Sequence, residues 1–346
     1  MNGPDDVTGF DPNGPGLPGK LFGLPFTPET ARVVILPVPW EVTVSYHTGT
    51  ARGPKAVQEA SRQIDLFHLD IPEAWKLGAA ITETPDTWEA SNDALRVLVD
   101  RVHQSADTAQ PLLDKVNEAC GNLNIYIKNQ AEGYLAKDKV AGLLGGDHST
   151  ALGLMRALAE RHERFGILQI DAHADLRKAY EGFQYSHGSI MYNALKMPAV
   201  SRLVQVGIRD LCEAEYQVIQ RGGGRIRTFF DEELKRDGRS WTEQCKEIVD
   251  ELPEKVYISF DIDGLDPQYC PNTGTPVPGG LDFFQAVTLI RTVALSGRTI
   301  IGFDLSEVAP GPAGDWDANV GARMLWQLTC WTGVSRGWLQ ARETKG

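Results

Sequence analysis

The stretch KVYISFDIDGLDP, residues 255–267, decides how the rest of the chain is interpreted. Its first six residues are an apolar, β-branched run that predicts a buried strand, which Gly264 and Pro267 bring to an end. Asp261 and Asp263 lie two positions apart, so an extended backbone places both carboxylates on the same face. Because neighbouring carboxylates repel each other, the pattern predicts a cation between them.

Similar apolar runs recur along the chain. Strands are predicted at residues 32–39, 140–144, 165–170, 203–208, 255–260 and 299–305. Helices are predicted from residue 54, over about 86–138, and at 150–161, 241–252, 283–295 and 319–333. Strands that alternate with helices build right-handed βαβ units, and therefore one parallel sheet covered by helices on both faces. The Gly- and Pro-rich residues 1–30 are predicted to form an irregular N-terminal arm, and residues 31–346 a single domain.

Composition and charge exclude several classes of protein. With 42% apolar and 23% charged residues, the chain has the composition of a globular protein. No apolar run approaches the roughly 20 residues that span a bilayer. Five scattered cysteines without a CxxC pair predict reduced thiols and a cytoplasmic location. The net charge of −12 disfavours a nucleic-acid partner and suits a small cationic substrate.

Four of the predicted strands are followed by side chains that bind metals or cations. They are His148; Asp171, His173 and Asp175; Asp261 and Asp263; and Glu307. Because the carboxyl ends of parallel strands converge on one crevice, these side chains are expected in one site. The first six exceed what one tetrahedral ion needs, whereas two ions about 3.5–4 Å apart with bridging carboxylates would use all six. One imidazole per ion among oxygen ligands suits Mn²⁺, Ni²⁺, Fe²⁺ or Co²⁺.

Each motif also has a purely structural interpretation. An aspartate at the end of a strand is usually a turn former or a helix N-cap, and GGDHS (145–149) alone is compatible with a capped tight turn. Three such motifs in order, each after an apolar strand, are not explained by capping alone. The metal centre is therefore the preferred interpretation.

Together the motifs resemble those of the ureohydrolases, the family of arginase, agmatinase and guanidinobutyrase. The matching segments are GGDHS (145–149), DAHAD (171–175), SHG (186–188), SFDIDGLDP (259–267), TGTPVPGGL (273–281) and FDLSEV (303–308). In order and spacing they cover about residues 30–335. The resemblance implies a three-layer αβα arginase-like fold with a central, mainly parallel eight-stranded sheet. It also implies two divalent metal ions per chain and assembly into trimers or hexamers.

The resemblance implies a role for each of the six metal ligands. Asp171 and Asp261 would bridge the two ions. The remaining ligands would be His148 and Asp175 on one ion, and His173 and Asp263 on the other.

The resemblance also implies a catalytic apparatus. Glu307 corresponds to the carboxylate that pairs with the substrate guanidinium, His187 to a proton shuttle, and Thr275 to a residue that lines the substrate pocket. A guanidinium carbon is a weak electrophile, so the reaction needs the nucleophile that a metal-bridging hydroxide supplies at neutral pH. Glu307 would hold the planar cation by paired hydrogen bonds. Asp175 or Asp263 would relay a proton to the leaving amine, in exchange with solvent through His187.

Departures from the family pattern bear on the substrate. Arginases place an asparagine two positions after the last ligand of the DxHxD motif, and Arg177 occupies that position, which argues against free arginine. Loop 39–50 and segment 70–78 are similar to the branch that contains nickel-dependent guanidine hydrolase and bacterial metformin hydrolase. His47 and Thr48 stand where a guanidine hydrolase has a glycine-rich loop, and would shape the pocket for a bulkier substrate. Arg177 and His47 are therefore candidate substrate-binding residues.

That branch implies a binuclear hydrolase that converts metformin into guanylurea and dimethylamine, or guanidine or a small alkylguanidine into urea and an amine. Nickel is the favoured metal and manganese the alternative. The branch also implies a homologous, inactive partner subunit, beside which this chain would be the active one. Two alternatives stay open: an agmatinase or guanidino-acid hydrolase, and a non-catalytic structural subunit of a hetero-oligomer.

Overall fold

The computed structural model describes residue 7 and residues 9–104, 109–312 and 314–342. The strands are β1 (Val33–Val38), β2 (Ala79–Ile81), β3 (Val140–Gly145), β4 (Phe165–Ile170), β5 (Val200–Ile208), β6 (Ile226–Phe230), β7 (Lys255–Asp261) and β8 (Thr299–Ser306). They form one sheet in the order β2-β1-β3-β8-β7-β4-β5-β6, and each neighbouring pair is parallel. The predicted α/β class with an eight-stranded sheet is confirmed.

Helices of very different length connect the strands. They are α1 (Gly53–Ser61), α2 (Thr87–Gln104), α3 (Ala109–Leu135), α4 (Leu152–Arg161), α5 (Ile190–Ala194), α6 (Glu213–Arg221), α7 (Asp231–Arg236), α8 (Trp241–Asp250), α9 (Phe283–Leu295) and α10 (Trp316–Ser335). Within the described ranges, no helix combines the length and the apolar character that a membrane crossing requires.

The helices cover both faces of the sheet. In β4, Ile167 packs in a cluster with α3 and α4, whereas the next residue, Leu168, packs in a second cluster with α8, α9 and α10. Both side chains are fully buried. Because both faces of the strand are covered, its sequence is a continuous apolar run rather than an alternating one. These are the three layers that the resemblance implies.

Sequence patterns predict the long central elements and miss the short ones at the edges. β4 and α9 have the predicted bounds, and the helical prediction over 86–138 corresponds to α2 and α3, between which residues 105–108 lie outside the described part of the chain. β2 and β6, which lie at the two edges of the sheet, are missed. Strands of three and five residues offer too little periodicity to be distinguished from loops.

Phe22 attaches the described part of the N-terminal segment to one helical layer. Its ring packs edge-on against Trp326 of α10, with the ring centroids 4.9 Å apart. Its N–H donates to Ser61 Oγ of α1 at 2.9 Å. Residues 1–6 and residue 8 of the predicted arm lie outside the described residues.

The turn after β3 is in close contact with the loop after β1. The N–H of Gly146 donates to the carbonyl oxygen of Val38 at 2.8 Å, and the N–H of Asp147 donates to that of Trp40 at 2.7 Å. A Cβ atom on Gly146 would lie 2.0 Å from the Trp40 carbonyl oxygen. Only glycine allows this approach, which brings His148 to the carboxyl edge of the sheet.

Replacing Gly146 with alanine is expected to destabilise the protein by about 1–3 kcal/mol, the usual effect of overpacking a close contact. Urea unfolding of chelator-treated protein measures this free energy without any contribution from bound ions. Gly133→Ala is the control, because Gly133 lies on the exposed side of α3 with no atom within 4 Å of its added Cβ. Equal stability of Gly146→Ala and the wild type would contradict the structural role of this contact.

Candidate metal centre and substrate cavity

The predicted ligands lie together at the carboxyl edge of the four central strands, β3, β8, β7 and β4. His148 begins a short 3₁₀ helix after β3, Asp261 ends β7, and Glu307 follows β8. Five of the six ligands and Glu307 are at most 4% exposed, whereas the His173 side chain is 23% exposed. The site therefore lies below the surface and opens on the side of His173.

One group of ligand atoms surrounds His148. Its Nδ1 atom lies 3.1 Å from Asp171 Oδ2, 3.1 Å from Asp175 Oδ2 and 3.4 Å from Asp261 Oδ2. Its other ring nitrogen, Nε2, lies 2.8 Å from Ser259 Oγ. The lone pair of Nδ1 is thus the one that can face a cation shared with the three carboxylates.

A second group surrounds His173 and shares Asp171 with the first. His173 Nδ1 lies 3.0 Å from Asp263 Oδ2 and 3.6 Å from Asp171 Oδ1. Asp171 therefore directs one oxygen toward each histidine, as a carboxylate that bridges two ions must. The sets His148–Asp171–Asp175 and Asp171–His173–Asp263 each bring their ligand atoms close enough to hold an ion.

Burial concentrates negative charge in this site. Burial raises the pKa of Asp175 to about 7, with a further increase from the Asp171 carboxylate. Burial and the carboxylates of Asp263, Asp171 and Glu307 raise the pKa of Asp261 well above its ordinary range. Both pKa values rise because neighbouring buried carboxylates repel one another as anions, and a cation between them would remove that repulsion.

The residues fit a pair of divalent ions. His148 Nδ1 is buried and has no hydrogen bond within the described part of the chain, although three carboxylate oxygens lie within 3.4 Å. Two ligand atoms about 2.1 Å from one ion and at right angles to each other would be about 3.0 Å apart, close to these separations. Burial alone lowers the pKa of His148, but Asp171 and Asp175 outweigh it and raise the pKa. A proton or a metal ion satisfies Nδ1 here, and the mixed oxygen and nitrogen donors suit a first-row metal.

Two site residues have a left-handed backbone, with φ of 54° at Asp175 and 65° at Glu307. This conformation is uncommon for residues other than glycine and must be held by the surroundings. The Asp175 carbonyl oxygen accepts from the N–H groups of Met191 and Tyr192, both at 3.1 Å. Glu307 donates its N–H to the Gly146 carbonyl oxygen at 2.8 Å. The two carboxylates are therefore directed inward by a backbone that α5 and the β3 turn hold in place.

The Glu307 carboxylate is only partly satisfied. Its Oε1 accepts from the N–H of His148 at 2.9 Å, while its buried Oε2 has no hydrogen-bond partner among the described residues. Burial raises the pKa of Glu307, and the nearby Asp147 carboxylate raises it further. A free acceptor oxygen beside the metal ligands is a position where a cationic donor would be stabilised.

A cavity of about 270 Å³ leads from the surface to the ligands. Its wall includes the ligands His173 and Asp175 and the nearby Thr275, together with Arg177, Tyr180 and His187. Thr275 Oγ1 lies 3.4 Å from Asp263 Oδ2. Of the four residues predicted to contact substrate, Thr275 and Arg177 line this cavity, whereas Glu307 and His47 do not; His187, the predicted proton shuttle, also lies in the wall.

Arg177, Tyr180 and His187 form a connected part of that wall. The Arg177 guanidinium lies over the Tyr180 ring, 4.8 Å from its centroid, and the Tyr180 ring meets the His187 ring edge-on at 5.6 Å. Arg177 Nε also lies 3.6 Å from Glu215 Oε2. Burial, together with the positive charges of His173 and His148, lowers the pKa of His187 to about 4. His187 is thereby kept neutral at neutral pH.

A buried glutamate accepts hydrogen bonds from the loop that carries His47. Glu41 Oε2 accepts from the N–H groups of Gly49 and Ala51 at 2.6 and 3.0 Å. His47 is exposed and stacks on Tyr46, with ring centroids 4.0 Å apart. From this loop, Tyr46 and its neighbour Ser45 line the cavity, and His47 stands behind Tyr46.

Sequence patterns miss several residues of the site. Ser259 and Asp304 interrupt apolar strands as polar residues, and Ser259 stands two positions before the ligand Asp261, a spacing that places both on one face. That spacing is a signal that sequence reasoning can use. Tyr180 and Glu215 have no comparable signal, because only the folded chain brings them to Arg177.

Comparison with known proteins identifies the family. A model of the Arginase family matches residues 31–330. The chain is 32% identical over 321 residues to N(1)-aminopropylagmatine ureohydrolase of Thermus thermophilus, covering 92% of this chain and 97% of that protein. It is 31% identical over 307 residues to an agmatinase of Neisseria meningitidis, covering 88% of each chain. A crystal structure of agmatine ureohydrolase from Thermoplasma volcanium superposes with a TM-score of 0.73 at 22% identity, covering 92% of this chain and 95% of that one.

The chain therefore belongs to the arginase family. It is a hydrolase that acts on amidine C–N bonds, as the sequence motifs predict. The family assignment also favours the hydrolase over the non-catalytic subunit that was the alternative. The binuclear divalent centre of the family fits the His and Asp groups described above.

If Asp171 holds both ions, then Asp171→Asn should retain at most one of them after dialysis against metal-free buffer, while the wild type retains two. Inductively coupled plasma mass spectrometry gives the metal content per chain. Asp266→Asn is the matched control, because Asp266 lies in the same loop as Asp263 but only caps the N–H of Gln268. Retention of two ions by Asp171→Asn would contradict the shared-ligand arrangement.

Proposed function

We propose that this chain hydrolyses a small guanidine or biguanide through two divalent ions. The products would be guanylurea and dimethylamine from metformin, urea and ammonia from guanidine, or urea and an amine from a small alkylguanidine. The ligands would be His148, Asp175, Asp171 and Asp261 at one ion, and His173, Asp263, Asp171 and Asp261 at the other. Nickel is the favoured metal and manganese the alternative.

Charge supports a cationic substrate. Five buried carboxylates converge on the site, at Asp171, Asp175, Asp261, Asp263 and Glu307. Two divalent ions neutralise four of these charges and a hydroxide would add one, so the site keeps a net negative charge. A guanidinium or biguanidinium group supplies the remaining positive charge, and a neutral or anionic head group does not.

Glu307 supports recognition of the guanidinium group itself. Its Oε1 is fixed by the N–H of His148, which leaves the buried Oε2 free to accept from the substrate. A carboxylate in this position orients the planar cation toward the ligands. When bound, the two ions lower the pKa of a water molecule and so make hydroxide available near neutral pH.

The proton for the leaving amine can come from this chain's own residues. Asp175 lines the cavity beside the ligands, and its raised pKa, about 7, suits a group that gains and loses a proton near neutral pH. His187 is half-buried in the same cavity wall, where it connects the interior with solvent. We assign the relay to Asp175, with Asp263 as the other carboxylate in reach, and the exchange with solvent to His187.

We assign to Arg177 the selection between substrate classes. Its guanidinium forms part of the cavity wall over Tyr180, so a substrate with a second cation at its far end would meet a positive charge there. A compact guanidine or biguanide carries its charge at the head group and avoids that repulsion. The arrangement also leaves no site for the α-amino group of free arginine at this position.

A second candidate function is hydrolysis of agmatine or a guanidino acid. Two observations favour it. The Asp210 side chain, 66% exposed at the cavity mouth, could pair with a distal ammonium group. The relatives above 30% identity are named for agmatine and N(1)-aminopropylagmatine. Under this alternative Arg177 would be neutralised by Glu215, or would bind the carboxylate of a guanidino acid.

Glu307→Gln should keep both ions and lower kcat/KM by about 10²-fold or more, because the amide retains the contact with His148 but loses the charge that orients the substrate. Steady-state kinetics and metal content are measured on the same preparations. Glu213→Gln, an exposed glutamate at the start of α6, serves as the control and should be unchanged. Near-normal turnover by Glu307→Gln would exclude the proposed role.

The substrate proposal is tested with nickel-loaded and manganese-loaded protein and five compounds: guanidine, metformin, agmatine, 4-guanidinobutyrate and arginine. Mass spectrometry measures urea, guanylurea and the released amines. We expect the highest kcat/KM on metformin or guanidine, with nickel. A higher value on agmatine or 4-guanidinobutyrate with manganese would establish the second candidate instead.

His47→Gly measures the contribution of the loop. If the loop shapes the pocket through Tyr46, the ratio of kcat/KM for metformin and guanidine should change in this variant. An unchanged ratio would remove His47 from the substrate-binding residues. The expected assembly is a trimer or hexamer, either of this chain alone or with a homologous inactive subunit. Light scattering gives the number of chains per particle, and co-purification with a homologous chain would show the hetero-oligomer.

A further inference from the structure

A row of buried polar side chains crosses the sheet directly beneath the metal ligands. Its members occupy paired positions on five neighbouring strands: Thr228 on β6, Gln205 on β5, Gln169 on β4, Ser259 on β7 and Asp304 on β8. Four of them are fully buried, and Thr228 is 6% exposed. Buried polar groups need partners, so a row of five inside a sheet requires an explanation.

The row meets the metal centre at Gln169. This residue stands two positions before Asp171, so both side chains lie on the same face. Gln169 Nε2 donates to Asp171 Oδ2 at 2.8 Å and to the His173 carbonyl oxygen at 3.0 Å. The same Asp171 oxygen lies 3.1 Å from His148 Nδ1. Gln169 thus holds the carboxylate that both groups of ligands share.

Chemistry determines which way the Gln169 amide faces. Both atoms beside its nitrogen, a carboxylate oxygen and a carbonyl oxygen, are acceptors only. A flipped amide would place Oε1 against them and leave Asp171 without a donor. The amide oxygen must therefore point the other way, toward Gln205.

The chain of hydrogen bonds continues across two more strands. Gln205 Nε2 donates to Gln169 Oε1 at 2.6 Å and to the Ala174 carbonyl oxygen at 2.8 Å. Its own Oε1 then faces Thr228, whose hydroxyl donates at 2.8 Å. The Asp171 carboxylate and the His173 and Ala174 carbonyl oxygens can only accept, so they fix the direction of both amides, and the Thr228 hydroxyl takes the donor role at the end of the row.

We infer that Thr228 and Gln205 are positioning residues for the metal centre, acting through Gln169 on the bridging carboxylate of Asp171. Neither contacts a ligand side chain directly. Thr228 supplies the donor that satisfies and fixes Gln205 Oε1, Gln205 does the same for Gln169 Oε1, and Gln169 holds Asp171 so that its two oxygens face His148 and His173. The inference rests on the metal centre of the proposed function and is independent of the substrate.

The experiment compares Thr228→Val with Thr228→Ser. Valine has nearly the shape of threonine but no hydroxyl, so Gln205 Oε1 loses its donor, whereas serine keeps it. Thr329→Val is the matched control, because Thr329 is also buried and also donates one hydrogen bond of 2.8 Å, but to the Leu325 carbonyl oxygen in α10. Gln205→Met is a second test, which removes the amide at similar length.

Three quantities are measured for each variant. Titration of metal-depleted protein with Mn²⁺ gives the two dissociation constants, electron paramagnetic resonance reports the coupling of the bound Mn²⁺ pair, and circular dichroism gives the melting temperature of the metal-free protein. Removing a direct partner of a metal ligand typically weakens affinity by about 10–100-fold. Gln205 and Thr228 stand one and two steps beyond that direct partner, so we expect about 3- to 10-fold weaker binding and an altered spectrum in Gln205→Met and Thr228→Val, with wild-type values in Thr228→Ser.

The outcomes separate positioning from simple stability. If Thr228→Val lowers the melting temperature as Thr329→Val does but leaves both dissociation constants and the spectrum as in the wild type, the row is only structural and the inference is overturned. If Thr228→Ser binds as weakly as Thr228→Val, the hydroxyl is not the determinant and the inference also fails. Wild-type protein that binds no Mn²⁺ or Ni²⁺ would refute the metal centre itself, which is a different result.

Discussion

Five carboxylates share one buried region at the edge of the sheet. The rest of the site must offset their mutual repulsion. Burial raises the pKa of Asp175, Asp261 and Glu307 together. Burying several carboxylates without positive partners costs a large amount of free energy, which protonation of the carboxyl groups would otherwise relieve. Here two imidazoles and a set of backbone N–H donors hold the carboxylates in position, and divalent ions supply the missing positive charge. The site is therefore arranged for cations before any of them binds.

Rigid backbone keeps these charges from moving apart. Gly264 lies so close to the strand end of the neighbouring motif that an added Cβ would be 2.7 Å from the Asp171 nitrogen. The Ala172 N–H donates to Asp263 Oδ1 at 3.0 Å, which connects the same two loops. The left-handed residues Asp175 and Glu307 are held in the same manner by backbone hydrogen bonds. Side chains on strand ends and tight turns vary little in position, and two ions a few ångströms apart require that precision.

The parts of this arrangement that sequence predicts are those with local periodicity. The spacing of Asp261 and Asp263, or of Asp171 and His173, depends on one strand and its turn, so it can be read from consecutive residues. The row from Thr228 to Asp304 depends on the order of strands in the sheet, which no single segment contains. Glu215 is further removed, because its place beside Arg177 results from α6 packing against the loop after β4. The short edge strands β2 and β6 are missed for a related reason. They are recognised by their hydrogen bonds to a neighbouring strand rather than by an apolar pattern in their own sequence.

The division between strand ends and loops explains how one chemistry accepts several substrates. The polar row lies on strands and the metal ligands lie at strand ends or in the few residues after them, whereas Tyr46, Arg177 and Tyr180 of the cavity wall are loop residues. Exchanging a loop residue changes the charge or shape met by the far end of a substrate without disturbing an ion. The pairing of Arg177 with Glu215 is of this kind, since it puts a guanidinium into the cavity wall with a carboxylate oxygen 3.6 Å from its Nε. Under the proposed function, selectivity would depend on how completely that pair cancels, because a residual positive charge disfavours a distal ammonium group and a residual negative one attracts it.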